Sequence, residues 1–142
     1  MKSVKFEELL GKTIVSIEGM ERDSKQINFT CSDGSRYKMY HEQDCCESVY
    51  VEDVAGDVKD ILDSPITMAE ESSNHEFVGE YADSITWTFY KLATVKGYVT
   101  IRWLGSSNGY YSESVDFSKL STKDDWSSDY WHSYEEDDDE GN

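Results

Sequence analysis

Residues 85–103 read ITWTFYKLATVKGYVTIRW, and this stretch decides the fold class. Segments 85–90 and 98–103 are rich in β-branched and aromatic residues, which favour extended strands. Lys96 and Gly97 lie between the two segments, and a glycine at such a place is typical of a tight turn. The stretch therefore predicts an antiparallel hairpin, and with it a sheet-based fold.

A second hairpin is predicted nearer the N-terminus. Segment 26–31 alternates between apolar and polar residues, which indicates a strand with one buried face. Asp33 and Gly34 then form a turn signal, because Asp-Gly supports the positive φ angles of a tight turn. Segment 36–41 returns as the partner strand, with Tyr37 and Met39 on one side.

The remaining segments complete an α+β prediction in which antiparallel β-sheet dominates. Short helices are expected over 3–10 and 57–62, and residues 72–83 read as a polar, flexible loop. Residues 110–117 are expected to follow a turn at 105–109 as the third strand of a meander that begins at residue 85. Further strands are predicted over 13–17, 48–52 and 66–71.

Length and composition predict one domain followed by a tail. The chain has 142 residues, 37% of them hydrophobic and 13% aromatic, which is enough to build one core. We place that domain at residues 1–120. Residues 121–142 have no apolar period and carry nine acidic residues against Lys123 alone, so we expect a flexible, disordered tail.

The charge balance restricts the class of partner. The chain has 30 acidic and 13 basic residues, for a formal net charge of −17, and the tail contributes −8 of it, which leaves −9 on the domain. Such a surface repels nucleic acid and anionic membrane and attracts basic proteins. We therefore expect no direct nucleic-acid binding and no membrane association. Strong self-repulsion favours a monomer, although strand edges could still pair.

The tail is the first candidate for binding. An extended chain advances about 3.4 Å per residue, and one DNA strand places a phosphate about every 3.4 Å. The six consecutive carboxylates at 135–140 can therefore match the charge spacing of a nucleic-acid strand. Upstream aromatic side chains could anchor a partner. The alternatives are a solubilising tail, or an aromatic segment that folds back on the domain. The predicted partner-binding residues are Asp124, Asp125, Trp126, Asp129, Tyr130, Trp131, Tyr134, Glu135, Glu136, Asp137, Asp138, Asp139 and Glu140.

Segment 41–47, HEQDCCE, contains every common type of metal ligand, but its spacing is poor. Structural zinc sites use cysteines two to four residues apart, whereas Cys45 and Cys46 are adjacent. The odd cysteine count and this adjacent pair argue against a secreted disulfide framework and predict reduced thiols in a cytoplasmic protein. No nucleotide-binding or nucleophile motif is present. We predict no metal, no cofactor and no catalytic residue, and hence a protein that is not an enzyme.

Two longer stretches resemble a known family. HEQDCCESVYVEDVAGD at 41–57 and TWTFYKLATVKGYVTIRWLGSSNGYYSESVDF at 86–117 are similar to a small uncharacterised family of bacteriophage proteins, and the resemblance covers most of 10–118. That family provides no catalytic residues to carry over. With its acidic tail the chain also looks like the early host-takeover proteins of SPO1-type Bacillus phages. This second resemblance implies inhibition of host RNA polymerase in the bacterial cytoplasm.

The sequence thus predicts a phage host-takeover protein that inhibits bacterial RNA polymerase and competes with nucleic acid through its acidic surface and tail. One alternative is inhibition of another host protein that handles DNA or acts in defence. A different class is a small-molecule or metal-binding protein that uses the loops at 41–47 and 105–111. The small residues GSSNG at 105–109, followed by two tyrosines, could cradle such a ligand.

Overall fold

The computed structural model describes residues 1–78 and 83–129 of the chain. Strands account for most of the regular structure in these residues, and two one-turn 3-10 helices, Phe6–Leu9 and Val58–Ile61, accompany them. The strands are β1 (Lys2–Ser3), β2 (Ile14–Glu18), β3 (Gln26–Cys31), β4 (Arg36–Tyr40), β5 (Ser48–Ala55), β6 (Met68–Val78), β7 (Asp83–Thr94), β8 (Gly97–Ser107) and β9 (Asp116–Lys119).

The strands form two antiparallel sheets. The five-stranded sheet has the order β1-β9-β4-β3-β2, and the four-stranded sheet has the order β5-β8-β7-β6. The predicted antiparallel β-sheet is therefore confirmed. The α part of the α+β prediction is wrong for the described residues, which contain no α-helix. Both predicted helical segments are single 3-10 turns, because an isolated apolar stretch of this length cannot meet the cost of starting an α-helix.

One core lies between the two sheets. Phe117 of the five-stranded sheet stacks on Tyr37 and contacts Phe6 edge to face, with ring centroids 5.3 Å apart in both pairs. Phe6 in turn contacts Tyr90 of the four-stranded sheet, with centroids 4.8 Å apart. Trp103 is fully buried, and its indole N–H is directed at the sulfur of Met39 in β4. The short helix Phe6–Leu9 thus helps to join the sheets.

The predicted third strand of the meander is wrong. Strand β8 continues through Ser107 without turning at residue 105, and residues 108–115 then carry the chain across to the other sheet. There β9 pairs with β4, with Phe117 opposite Met39. Burial of the Phe117 ring between the sheets outweighs the local preference for a further hairpin.

The predicted loop at 72–83 is also wrong in its described part. Strand β6 extends through Val78 and pairs with β7 residue by residue, from Met68 opposite Ala93 to Val78 opposite Asp83. The polar residues of this segment have low strand propensity, but pairing with β7 provides hydrogen-bond partners for the backbone groups that face that strand. The meander is therefore β6–β7–β8, and β6 is an edge strand.

The described residues contain no helix that is both long and apolar enough to cross a membrane.

Candidate functional site

The beginning of the predicted tail packs on the five-stranded sheet. The side chain of Asp124 is buried, and its carboxylate lies 2.8 Å from the terminal amine of Met1 and accepts a hydrogen bond from the backbone N–H of Ser121 at 2.8 Å. Burial alone would raise the pKa of Asp124, but these hydrogen bonds outweigh it and hold the pKa below its usual value. Asp124 is therefore directed into the domain and cannot present its charge to a partner as predicted.

Trp126 packs on the domain as well. Its ring lies 5.6 Å from the guanidinium of Arg36, and it contacts the small cluster of Met1, Tyr40 and Leu120. Its backbone carbonyl accepts a hydrogen bond from the side-chain amide of Gln26 in β3 at 2.8 Å. The segment thus folds back on the domain as far as Ser128, and the predicted boundary at residue 120 falls inside packed chain.

Two cations of β4 hold this segment through its backbone carbonyls. Arg36 donates to the carbonyls of Ser121 and Asp124 at 2.7 and 2.9 Å. Lys38 is 2% exposed and donates to the carbonyl of Ser128. Burial is the largest influence on Lys38 and lowers its pKa, although nearby carboxylates oppose that effect. These two basic residues are thus used to hold the segment on the domain.

The other predicted partner-binding residues divide into two groups. Asp125 is exposed and accepts a hydrogen bond from the backbone N–H of Ser127, and Asp129 is partly exposed. The rest lie outside the described residues, and their binding role stays a prediction. They are Tyr130, Trp131, Tyr134, Glu135, Glu136, Asp137, Asp138, Asp139 and Glu140.

Segment 41–47 forms a compact loop around the buried carboxylate of Glu47. This carboxylate lies 2.6 Å from Nε2 of His41 and accepts the backbone N–H groups of Asp44 and Cys45 at 2.9 Å. The other ring nitrogen of His41 lies 2.6 Å from the carbonyl of Ser114. Both ring nitrogens of His41 thus lie within hydrogen-bond distance of an oxygen atom, which fixes the orientation of the ring. Burial would raise the pKa of Glu47, but its hydrogen bonds bring the pKa down to about 2.

The two adjacent cysteines of this loop, Cys45 and Cys46, form a disulfide. This differs from the reduced thiols that the sequence predicts. Cys31 remains a free, buried thiol. In the described residues no group of three His, Cys, Asp or Glu side chains is placed to hold a metal ion.

Glu113 is a second buried carboxylate, and sequence reasoning missed it. It is 6% exposed and accepts hydroxyl hydrogen bonds from Ser84 at 3.1 Å, from Thr86 at 2.8 Å and from Ser107. Gly105 makes room for it, because a Cβ there would lie 2.7 Å from the carbonyl oxygen of Glu113. The signal in the sequence was a glutamate between two serines, four residues after the small-residue loop at 105–109.

A cavity of about 460 Å³ lies between the loops at 41–47 and 105–111. Cys46 and Glu47 line it from the first loop, and Ser107 and Tyr111 line it from the second. Ser84 connects the cavity to Glu113 behind it. The two loops therefore form one concave site, at the end of the four-stranded sheet where β7 begins and β8 ends.

The outer surface of the four-stranded sheet carries a second candidate site, which we call the aromatic face. Alternate residues of β7 point away from the core there, and the register places Trp87 beside Leu104 of β8. The outer side of an antiparallel sheet is commonly polar, whereas this one also carries large apolar side chains that are only partly buried. The aromatic face consists of Tyr50, Ile85, Trp87, Phe89 and Leu104.

Charged side chains surround the aromatic face. Arg102 lies over the Trp87 ring, 5.5 Å from its centroid, and forms ion pairs with Glu52 at 2.6 Å and Asp53 at 3.8 Å. On β6, Glu70 and Glu76 fall on the same side of the sheet as Trp87 by register. The sequence signal was present in segment 85–90, where Ile85, Trp87 and Phe89 fall on one alternation and Tyr90 falls on the other.

Comparison with known proteins gives one family. Residues 7–117 match the DUF7448 family, whose description is a domain of unknown function. No curated protein and no solved structure matches the chain.

Proposed function

We propose that this chain, which belongs to the DUF7448 family, is an acidic binding protein that occupies a basic, nucleic-acid-binding surface of another protein. The family carries no activity that could be transferred, so the proposal rests on the surface of the molecule. Its target, from the resemblance to phage host-takeover proteins, is bacterial RNA polymerase in the host cytoplasm. Inhibition follows from competition with nucleic acid for the same surface.

The aromatic face with its acidic rim is the observation that carries the proposal. Trp, Tyr and Arg dominate the binding energy of protein interfaces, especially where less critical contacts exclude water around them. Trp87, Tyr50 and Arg102 provide this combination on one partly exposed face of the sheet. The surrounding carboxylates favour a basic partner over an acidic one.

The net charge of −17 supports the same class of partner. Long-range attraction between an acidic protein and a basic channel speeds association and is screened by salt. In this proposal the acidic residues 135–140 increase the rate of encounter, and the aromatic face holds the complex after contact. Because the packed segment 121–128 is turned toward its own domain, it contributes less than the tail that follows it.

Purified bacterial RNA polymerase provides the test. Binding of the full chain would be measured by surface plasmon resonance, with and without promoter DNA as a competitor. Three variants separate the parts: Trp87→Ala on the aromatic face, a chain in which residues 135–140 are replaced by their amides, and Tyr98→Ala. Tyr98 is a matched control because it is an exposed aromatic residue of β8 that pairs with Ala93, six residues along β7 from Trp87.

We expect promoter DNA to compete with the wild-type chain. Trp87→Ala should weaken binding about tenfold or more, and Tyr98→Ala should have little effect. The amide tail should slow association at low salt and have no effect at high salt. If polymerase does not bind, or binds without competition from DNA, the proposed target is wrong. Binding of a different DNA-handling or defence protein with the same competition would move the proposal to that target.

A further inference from the structure

We propose that the cavity between the two loops binds the guanidinium group of an arginine side chain, presented by the basic partner. The inference rests on the proposed function only for the source of the arginine.

The carboxylate of Glu113 is buried against neutral hydroxyl groups. Glu113 is 6% exposed, and its bonded partners are the hydroxyls of Ser84, Thr86 and Ser107. None of the ion pairs within residues 1–78 and 83–129 includes Glu113. Buried charges in proteins are generally paired with an opposite charge, because desolvation of a lone ion is costly. A cation in the adjoining cavity would lie one hydroxyl group away from this carboxylate, because Ser84 and Ser107 line the cavity and donate to Glu113.

The hydroxyl groups on the cavity wall present acceptors. A serine hydroxyl has one proton. Ser84 directs its proton at Glu113, and Ser107 has two acceptors, the nearer carboxylate of Glu113 and the carbonyl of Tyr111 at 3.3 Å. Ser84 therefore accepts from Nε2 of His75 at 2.7 Å, and Ser107 accepts from the backbone N–H of Gly109 at 3.0 Å. Each oxygen keeps one further lone pair. The ligand that fits such a wall is one that only donates hydrogen bonds.

The size and composition of the cavity favour guanidinium over a bare metal ion. Its volume of about 460 Å³ is many times the ~30 Å³ that one water molecule occupies. Asp83 brings a carboxylate to the wall, and Tyr111 brings a half-buried ring. Guanidinium has five N–H donors, accepts none, pairs with carboxylates in a fork and stacks on aromatic rings. The described residues that line the cavity include neither lysine nor arginine.

The cavity adjoins the aromatic face. Ile85 belongs to that face and also lines the cavity, and Ser106 lines it from the same side of the sheet. A partner bound on the aromatic face can therefore place an arginine side chain in the cavity. Because the cavity and the aromatic face are continuous, the proposed source of the guanidinium is a protein side chain.

The probe for the test is N-acetylarginine methylamide, titrated into the full chain and followed by the NMR shifts of backbone amides. The matched ligand is the citrulline analogue, which has the same shape but a neutral urea in place of guanidinium. Putrescine tests whether an ammonium group serves equally well. We expect saturable shifts at Ser84, Ser107 and Tyr111 with the arginine probe and none with the citrulline analogue. Equal shifts with citrulline, or tighter binding of putrescine, would overturn the inference.

Two variants test the acidic groups. Glu113→Gln keeps the shape of the buried side chain and removes its charge, and should weaken the arginine probe about tenfold or more. Asp83 is exposed, so Asp83→Asn leaves the core intact and provides a test even if Glu113→Gln does not fold. It should weaken binding of the arginine probe about threefold or more. Glu18→Gln removes one charge from the other sheet and should leave binding unchanged. Unchanged binding in Asp83→Asn and Glu113→Gln would contradict the site.

The failure of this site can be distinguished from failure of the proposed function. If polymerase binds but the arginine probe does not, the cavity inference is wrong and the proposed function stands. If the probe binds as predicted but no basic protein does, the cavity chemistry stands and the partner as its source is wrong.

Discussion

The Nε2 atom of His41 lies 2.6 Å from the carboxylate of Glu47, and both side chains are almost completely buried. The pair joins the two ends of the loop that precedes β5, and the same carboxylate also caps two backbone N–H groups. The conformation of one wall of the cavity therefore depends on a single carboxylate.

Replacement of that carboxylate should destabilise the protein. We expect Glu47→Gln to lower the free energy of unfolding by about 2 to 4 kcal/mol, because buried donors lose a charged partner. The measurement is urea denaturation at pH 7. Glu42→Gln, which lies in the same loop region but is less buried, is the control and should have a smaller effect.

The same residue predicts an effect of pH. The pKa of Glu47 falls from 4.5 to about 2 on folding, so its carboxylate contributes stability above pH 4.5 that is lost as the pH falls toward 2. The difference in unfolding free energy between wild type and Glu47→Gln should therefore be largest at neutral pH and shrink below pH 4.5. A difference that stays constant down to pH 2 would show that the carboxylate does not act through its charge.

Thiol counting tests the disulfide. The chain has three cysteines, of which Cys31 is the free one. Under denaturing conditions without reductant, a maleimide should label one cysteine, and after reduction it should label three. In the native protein Cys31 should react slowly, because burial raises the pKa of its thiol. Three labels without reductant would favour the reduced thiols that the sequence predicts.

Gly105→Ala should disturb the cavity from beneath. The added Cβ would lie 2.7 Å from the carbonyl oxygen of Glu113 and 2.8 Å from its Cβ. Either β8 or the loop that carries Glu113 must therefore shift. We expect a loss of about 1 to 3 kcal/mol of stability and weaker binding of the arginine probe. Ser106 is the next residue along β8 and is less buried, so Ser106→Ala is the control and should change the free energy of unfolding little.

Trp126→Ala should release the segment that packs on β4. Loss of the ring removes its contacts with Arg36 and with the small cluster around Leu120. Tryptic cleavage after Lys123 should become about five- to thirtyfold faster, which corresponds to about 1 to 2 kcal/mol of local stability. Trp87→Ala, on the other sheet, should leave that cleavage rate unchanged. If both variants are cleaved at the wild-type rate, the packing of residues 121–128 does not depend on the tryptophan.

The sequence predicted those elements whose determinants are local. The strand expected over 26–31 is β3, because apolar alternation and the following Asp-Gly turn are both visible in a short window. Gly34 has the positive φ of 88° that this turn signal implies. The hairpin of β7 and β8 was found for the same reason, although both strands extend beyond the predicted segments.

What the sequence could not predict depends on distant contacts. Phe117 reads as part of a third meander strand until the aromatic cluster that receives it on the other sheet is known. Asp124 reads as a tail charge because its partner, the amine of Met1, lies at the opposite end of the chain. The cavity combines two loops about 60 residues apart, and only the sheet order brings them together.

Strand β6 has a consequence for how the protein behaves at high concentration. It is an edge strand of eleven residues, nine of them exposed, and such an edge is a template for edge-to-edge association of sheets. Glu70, Glu71 and Glu76 along that edge oppose such association while they are ionised. The acidity that we assign to partner binding therefore also keeps the molecules apart, and solutions brought close to the isoelectric point of about 4.3 should become prone to β-rich aggregation.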